Sequence, residues 1–247
     1  IDTYCIEAMM GDKKALQAGT SHYLGQNFAK AFDVTFQNEK NVKELVYATS
    51  WGISTRLVGA LIMVHGDDKG LRLPPKVAAI QIVIIPIIKN KDDLYKIKKF
   101  IQPCLTEFQQ IGIRYQLDER EKISPGFKFN EWEMKGVPIR VEIGPKDLAN
   151  NTIFCARRDT GKKQTYEINN AAQDIKNLLT EIQNNMFNQA LSFREKNSTT
   201  ATNYNDFKNK IQKGGFVKCG WDGSTETETI IKNDTKATIR CIPFDEK

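Results

Sequence analysis

The chain has 247 residues, of which 40% are apolar and 27% charged, and its formal net charge is +6. This composition is typical of a globular protein with one large domain or two small ones. The longest apolar stretches, 57–64 and 77–88, are too short to span a bilayer, and five cysteines without a CxxC pair exclude a disulfide scaffold. We therefore expect a cytoplasmic protein with reduced cysteines and no membrane partner.

The first 75 residues predict a mixture of short elements. Leu24, Phe28 and Phe32 are spaced by four, which favours a helix, and Ser54 or Thr55 can cap the next one. The Leu-Pro-Pro stretch predicts a linker and a first domain boundary, because proline can neither continue a helix nor donate in a sheet. In order, we predict a helix within 12–32, a strand at 46–51, a helix at 54–64, a loop at 66–70 and the linker at 73–75.

Beyond residue 76 the pattern alternates between strands and helices. Such an order implies a mostly parallel or mixed sheet with helices on its faces. The predicted elements are strands at 80–88, 114–117, 137–143, 152–157 and 164–168, helices at 92–111, 125–134 and 170–195, and a helical turn at 146–149. Residues 197–205 are polar and predict a second linker, which a small α/β tail at 206–247 follows.

The positive charge is concentrated in the middle of the chain. Residues 86–170 carry 16 basic and 12 acidic side chains, whereas the segments on either side are each close to neutral. A basic segment is a weak indication of nucleic-acid binding. Charge alone favours a solvated lysine-rich surface instead.

Four stretches carry a resemblance to a known family. They are IEAMM with LQAGTSHYLG at 6–10 and 16–25, TSWGISTR with HGDDKGLRLPP at 49–56 and 65–75, GFKFNEWEMKGVPIRVEIGPKD at 126–147, and TKATIRCIPF at 235–244. Together they closely resemble prolyl-tRNA synthetases of the eukaryote/archaeon-like type, over nearly the whole chain. The resemblance implies part of a class II catalytic domain with an antiparallel sheet at 1–75, an α/β anticodon-binding domain at 76–177, and a small C-terminal domain at 178–247.

The resemblance also implies that the chain is the C-terminal half of such an enzyme. Of the three class II motifs, only the third, around Gly52 and Arg56, is present. The first motif forms the dimer interface and the second supplies an arginine for the ATP α-phosphate. Because the chain begins with Ile1 in mid-pattern and without these motifs, we expect a fragment that is inactive alone.

The family reaction joins proline to ATP as prolyl-adenylate and then transfers the prolyl group to tRNA. By the resemblance, Gln17, Thr20 and Arg56 bind ATP, which acts with Mg²⁺. The planar guanidinium of Arg56 suits adenine stacking and phosphate pairing. A surface ion pair for Arg56 and simple turn chemistry for Gln17 and Thr20 are the alternatives.

The proline pocket is implied to contain His22, Ser50 and Gly52. An imidazole offers a flat apolar surface and a polar edge, and a glycine lets the backbone approach a ligand. A histidine of this kind could equally be a core residue, and Trp51 is as consistent with a core position as with the pocket.

For the anticodon, the resemblance implies contacts by Phe129, Glu133, Arg140, Lys146 and Asp147. Proline anticodons end in two guanines, whose edges offer N–H donors beside the O6 acceptor. Carboxylates and an arginine complement that edge, and an aromatic ring can stack on an unpaired base. The alternative is a salt-bridged surface.

In many relatives the last domain holds zinc through four cysteines. Asp222 and Thr227 stand where the first pair would be, and threonine is a poor zinc ligand. We therefore expect no structural zinc and a tail held by its apolar core. The predicted core members are Phe216, Ile230, Ile231 and Ile239.

The expected partners are proline, ATP, proline tRNA and a second copy of the enzyme. A free-standing tRNA-binding module and a paralogue that serves another amino-acid ligase reaction are the alternatives. The pocket residues Gln17, Thr20, His22 and Arg56 favour the synthetase, because a binding module has no use for an ATP and proline pocket.

Overall fold

The computed structural model describes residues 2–244, with the backbone alone at Lys91. The chain forms two compact units, the first from residues up to 64 and from 193 onward, the second from residues 65–192. Among residues 2–244, no helix is both long and apolar enough to cross a bilayer.

The N-terminal part of the chain forms a three-stranded antiparallel sheet. Its elements are β1 (Asp2–Met9), β2 (Ala15–Gly25), α1 (Asn27–Phe32), β3 (Thr35–Gln37), β4 (Lys43–Leu45), β5 (Ala48–Ile53) and α2 (Arg56–His65). The sheet order is β1-β2-β5, and β3 pairs with β4 in a separate hairpin. In the described part of the chain, β1 and β5 are the edges of this sheet.

The second unit is built on a five-stranded mixed sheet. Its elements are β6 (Ile82–Pro86), α3 (Lys91–Gln110), β7 (Tyr115–Leu117), α4 (Pro125–Met134), β8 (Ile139–Ile143), α5 (Pro145–Asn150), β9 (Thr152–Arg157) and β10 (Lys163–Glu167). After a short 3-10 turn comes the long helix α6 (Ala171–Lys196), whose last turn belongs to the first unit. The strand order is β10-β9-β8-β6-β7, with β6 parallel to both neighbours and β8, β9 and β10 antiparallel.

The core of the second unit lies on both faces of this sheet. Every residue of β6 is buried, as expected for a β-branched strand between two parallel neighbours. One face packs on α3 and α6 through residues such as Ile97, Phe108 and Ile175. The other face carries a smaller cluster in which Trp132 of α4 packs on Val83. The predicted mixed α/β architecture is confirmed, and helix 125–134 and strand 152–157 have the predicted bounds.

The rest of the chain belongs to the first unit. Its elements are β11 (Ser198–Thr200), α7 (Tyr204–Ile211), β12 (Phe216–Lys218) and α8 (Thr225–Thr235), with β11 and β12 parallel.

Two predicted elements are wrong. The helix predicted within 12–32 includes Leu24, but this residue lies in β2, and only Phe28 and Phe32 are helical. The stretch of Gly19, Thr20 and Ser21 has low helix propensity, and hydrogen bonds to strands on both sides stabilise the extended form. The linker predicted at 197–205 instead contains β11, because its backbone groups pair with β12.

The predicted tail core also needs correction. Ile230 is 57% exposed and Ile239 38% exposed, while Phe216 and Ile231 are half-buried. The buried residues in this part are Ala201 and Phe207. Ile230 follows the helical period of α8, but nothing in the described part of the chain covers that side of the helix enough to bury it.

Candidate functional sites

The predicted proline-binding residues lie next to one another on two paired strands. His22 of β2 pairs with Ser50 of β5, and Thr20 pairs with Gly52. Directly paired residues of antiparallel strands share a face, and so do residues two apart on one strand. These four residues therefore occupy one face of the three-stranded sheet.

A β-bulge places Gln17 on the same face. The register between β1 and β2 shifts between Ile6 and Glu7, so that Cys5 pairs with Thr20 and Glu7 pairs with Gln17. Cys5 and Glu7 are two apart on β1 and share a face, and their partners on β2 do too. In a regular strand, residues three apart lie on opposite faces. The extra residue of the bulge shifts the alternation by one, so that Gln17 and Thr20 lie on the same face.

Arg56 begins helix α2 beside Gln17. Its Nη1 donates to the carbonyl oxygen of Gln17 at 3.3 Å, and the Ser54 hydroxyl accepts from its backbone N–H at 3.3 Å. Within residues 2–244, Arg56 forms no ion pair, so no described carboxylate neutralises its charge. The structure thus brings all six predicted ATP- and proline-site residues together on or beside one sheet face.

His22 is half-buried and held by a neighbour on β1. The Thr3 hydroxyl and Nδ1 of His22 share a hydrogen bond of 2.9 Å, which orients the ring. Trp51, which alternates to the opposite face, is 78% exposed and is therefore not a core residue in the described part of the chain.

Two residues on this face were not singled out by the sequence. Glu7 has a nearly buried side chain and pairs with Arg240 of the C-terminal tail at 2.8 Å. Cys5 lies beside the same tail segment, and partial burial raises the pKa of its thiol. The IEAMM stretch contains Glu7, but a partner 233 positions away could not be inferred from the sequence alone.

In the second unit, Glu133 and Arg140 line one cavity of about 210 Å³. Glu133 lies in the last turn of α4, and Arg140 is the second residue of β8. The cavity also contacts Trp132, Val83 and Ala156. A hydrogen-bond acceptor and a hydrogen-bond donor therefore meet in a partly apolar recess.

Arg140 is fixed on two sides. Its guanidinium carbon lies 4.3 Å from the ring centroid of Phe129. Its Nε donates to Oε1 of Glu142 at 3.0 Å, and its Nη2 forms an ion pair with the same oxygen at 2.9 Å. The side chains of Arg140 and Glu142 are less than one fifth exposed. Phe129 thus stacks on Arg140, in addition to its predicted role of stacking on a base.

Glu133 is also held in place. Its carboxylate pairs with Lys69 at 3.3 Å, and its backbone carbonyl accepts from Nε of Arg158 at 3.0 Å. Arg158 in turn makes a bidentate pair with Asp67. The 65–70 loop is therefore tied to the end of α4 that carries Glu133.

The other two predicted anticodon residues lie at the start of α5 and do not line this cavity. Lys146 is exposed. Asp147 accepts from the backbone N–H of Gly144 at 2.8 Å and so caps its own helix. One carboxylate oxygen of Asp147 therefore already has a structural role.

A buried ionic cluster fixes α4 against the end of β7. Asp118 is 2% exposed and accepts from Nε1 of Trp132 at 2.8 Å. It also forms a bidentate pair with Arg120, whose hydrogen bonds hold the pKa of the Asp118 carboxyl well below its usual range. The buried Lys128 ammonium donates to the Asp118 carbonyl oxygen at 3.0 Å. Sequence reasoning did not single out Asp118.

Two family models match parts of the chain. Residues 81–178 match the family model described as an anticodon binding domain, and residues 204–247 match that of the prolyl-tRNA synthetase C-terminal domain. The proline–tRNA ligase of Azobacteroides pseudotrichonymphae is 53% identical over 244 residues, which cover 99% of this chain and 50% of the relative. Those of Bacteroides fragilis and Prosthecochloris aestuarii are 53% and 52% identical over 99% of this chain and 49% and 50% of their own lengths.

The chain corresponds to the C-terminal region of the prolyl-tRNA synthetase family. It spans about half the length of the curated relatives it matches. Apart from Lys69, the residues that line the cavity with Glu133 and Arg140 lie within the part that matches the anticodon binding domain.

The turn where many prolyl-tRNA synthetases are expected to bind zinc has a different chemistry here. The Thr227 hydroxyl donates to Oδ2 of Asp222 at 2.6 Å, and the backbone N–H of Ser224 donates to Oδ1 at 2.9 Å. These bonds lower the pKa of Asp222 and link the two positions directly. A carboxylate and a hydroxyl do not fit a structural zinc site, and residues 2–244 contain no group of three metal-ligating side chains.

Proposed function

We propose that this chain supplies the C-terminal half of a prolyl-tRNA synthetase, and that residues 65–192 recognise the proline anticodon. The observation that carries the proposal is the shared cavity of Glu133 and Arg140. The Glu133 carboxylate can accept from N1–H and N2–H of guanine, while the Arg140 guanidinium can donate to O6 or N7. From the start of α5, Lys146 would contact a base or phosphate, and Asp147 would accept from N1–H and N2–H of guanine.

We further propose that the face formed by β2 and β5 belongs to the aminoacylation site. In the first step, the proline carboxylate attacks the ATP α-phosphorus and pyrophosphate leaves. In the second, the terminal ribose hydroxyl of tRNA attacks the prolyl carbonyl, and AMP leaves. Such a site needs positioned donors and cations more than nucleophiles.

Each residue of that face has a proposed part. The unpaired charge of Arg56 suits the ATP phosphates or the adenine ring, and Gln17 and Thr20 supply the amide and hydroxyl contacts to the nucleoside. His22, oriented by Thr3, would form one wall of the proline pocket, with Ser50 and Gly52 opposite. Mg²⁺, which comes with ATP, neutralises phosphate charge, and we assign it no ligand in this chain.

The proposal extends to the whole enzyme. We expect a cytoplasmic homodimer whose remaining half supplies the other two class II motifs, and a tail without structural zinc.

The anticodon part is tested with this chain and a short RNA hairpin that carries the proline anticodon loop. We expect fluorescence anisotropy to show tighter binding than to hairpins in which either final guanine is replaced by adenine. Replacement of either guanine should weaken the binding free energy by about 1–3 kcal/mol. Equal affinity for all three hairpins would contradict the proposed recognition.

A further inference from the structure

The cavity that contains Glu133 and Arg140 is surrounded by positive charge. Five cationic side chains line it, and Glu133 is the one acidic side chain among its lining residues. The cations are Lys69, Arg140, Arg157, Arg158 and Lys163. An anionic group of a ligand would be attracted to this arrangement.

Four of these cations already have carboxylate partners. Lys69 pairs with Glu133, Arg140 with Glu142, Arg157 with Asp159 and Glu181, and Arg158 with Asp67. These ion pairs hold the walls of the cavity. Lys163 is exposed and forms no ion pair with any residue in the range 2–244. Of the lining cations, it is therefore the one whose charge no described carboxylate offsets.

The sheet register aligns Lys163 with Arg140. Lys163 is the first residue of β10 and pairs with Ala156 of β9, which in turn pairs with Arg140 of β8. The three residues form one row across the sheet and point to the same face. Because neighbouring strands are about 4.8 Å apart, the Cα atoms of Lys163 and Arg140 are separated by about 10 Å. This spacing is comparable to the distance between the base edge and the phosphate of one nucleotide.

We propose that Lys163 binds the backbone phosphate of the nucleotide whose guanine is read by Arg140 and Glu133. This inference rests on the proposed anticodon recognition and adds a residue to it. The lysine ammonium is a compact charge on a flexible stem, which suits a phosphate contact rather than base discrimination. Lys163 would therefore contribute to affinity and to its salt dependence, and not to the choice of base.

The chain offers a matched control in the neighbouring lysine. Lys162 is also exposed and belongs to the same hairpin, but it does not line the cavity. The variants Lys163→Gln and Lys162→Gln have the same net charge. Any difference between them reports the position of the lysine and not the total charge of the chain.

The experiment measures binding of the proline anticodon hairpin, and of its guanine-to-adenine versions, over a range of salt concentrations. For Lys163→Gln we expect the negative slope of log affinity against log salt to become shallower by about 0.7. Affinity should fall by the same factor for every hairpin. Lys162→Gln should keep the wild-type slope. Equal slopes for the two variants would overturn the role of Lys163.

The two claims fail separately. If the wild-type chain binds all hairpins equally but Lys163→Gln still lowers the slope, the phosphate contact stands and base recognition fails. If the wild-type chain selects guanine but the slopes of the two variants agree, base recognition stands and the Lys163 contact fails. No binding of any hairpin by the wild-type chain would overturn both.

Discussion

The guanidinium of Arg140 is held in one orientation before any ligand arrives. Phe129 covers one side of it, and Glu142 accepts from its Nε and forms an ion pair with its Nη2. A preorganised donor loses less side-chain entropy on binding than a mobile one. Glu142 is therefore a positioning residue for Arg140, although it does not line the cavity.

Substitution of Glu142 should reduce base selectivity. Glu142→Ala leaves Arg140 without its acceptor, and we expect the preference for guanine over adenine hairpins to fall roughly tenfold, equivalent to about 1.4 kcal/mol. Glu142→Gln keeps an oxygen acceptor and should retain most of the preference. Anisotropy measurements with both variants test this, and undiminished selectivity in Glu142→Ala would show that Arg140 needs no such support.

At the residue scale, the candidate site residues could be named from the family resemblance, but how they are held could not be predicted. Alternation along β8 puts Arg140 and Glu142 on one face. The contact between Arg140 and the Phe129 ring, however, requires α4 to pack on that face. Gln17 and Thr20 were assigned to the same site through the family resemblance. Their spacing of three contradicts a shared face in a regular strand, and only the bulge in the β1–β2 pairing resolves the contradiction.

Among the elements, α4 has the most direct connection to the proposed function. It carries both Phe129 and Glu133, and its position depends on the Asp118 cluster. The sequence predicted α4 with its bounds because Ser124 caps its start, proline follows at the first helical position, and glycine follows soon after its end. It did not predict the buried aspartate, since Asp118 lies in a polar stretch that looks like an ordinary loop.

Loss of the Asp118 charge should destabilise the second unit. Asp118→Asn removes one of the two carboxylates that pair with Arg120, and the carboxylate whose Oδ1 lies 3.5 Å from the buried Lys128 ammonium. We expect a loss of about 3 kcal/mol in the free energy of unfolding near neutral pH. Asp68→Asn, which changes an exposed aspartate in the 65–70 loop, is the matched control and should have little effect. Urea unfolding of both variants measures the difference.

The same substitution has a predicted pH dependence. The pKa of Asp118 is lower in the folded state than in the unfolded chain, where it is near 3.9. Its stabilisation is therefore present above that unfolded pKa and is lost as the pH falls below it. The stability gap between wild type and Asp118→Asn should be constant above about pH 5 and narrow below about pH 4. A stability gap that stays constant down to pH 2 would contradict a lowered pKa of Asp118 in the folded state.

Other elements show why local patterns were sometimes insufficient. Strand β11 has three exposed residues and gains its partners only from β12, 18 residues further along the chain. Strand β2 lacks clear alternation because its bulge and its two neighbours, rather than a buried face, determine its conformation. In both cases the deciding hydrogen bonds are non-local.

On the scale of the whole molecule, the two compact units correspond to two proposed tasks. The first unit contains the β2–β5 face proposed for ATP and proline, and the second contains the cavity proposed for the anticodon. The excess positive charge in residues 86–170 lies in the second unit, as expected for a surface that meets RNA. Composition alone could not distinguish this from a solvated surface, and the proposal that this unit meets RNA rests on the cavity instead.

The most direct test of this account compares two reactions of the enzyme in which this chain forms the C-terminal half. Proline-dependent pyrophosphate exchange reports adenylate formation, and charging of proline tRNA reports the complete reaction. For Arg140→Ala we expect unchanged exchange, with charging efficiency reduced by about 1–3 kcal/mol in transition-state free energy. Equal losses in both reactions, or unchanged charging, would contradict anticodon recognition by Arg140.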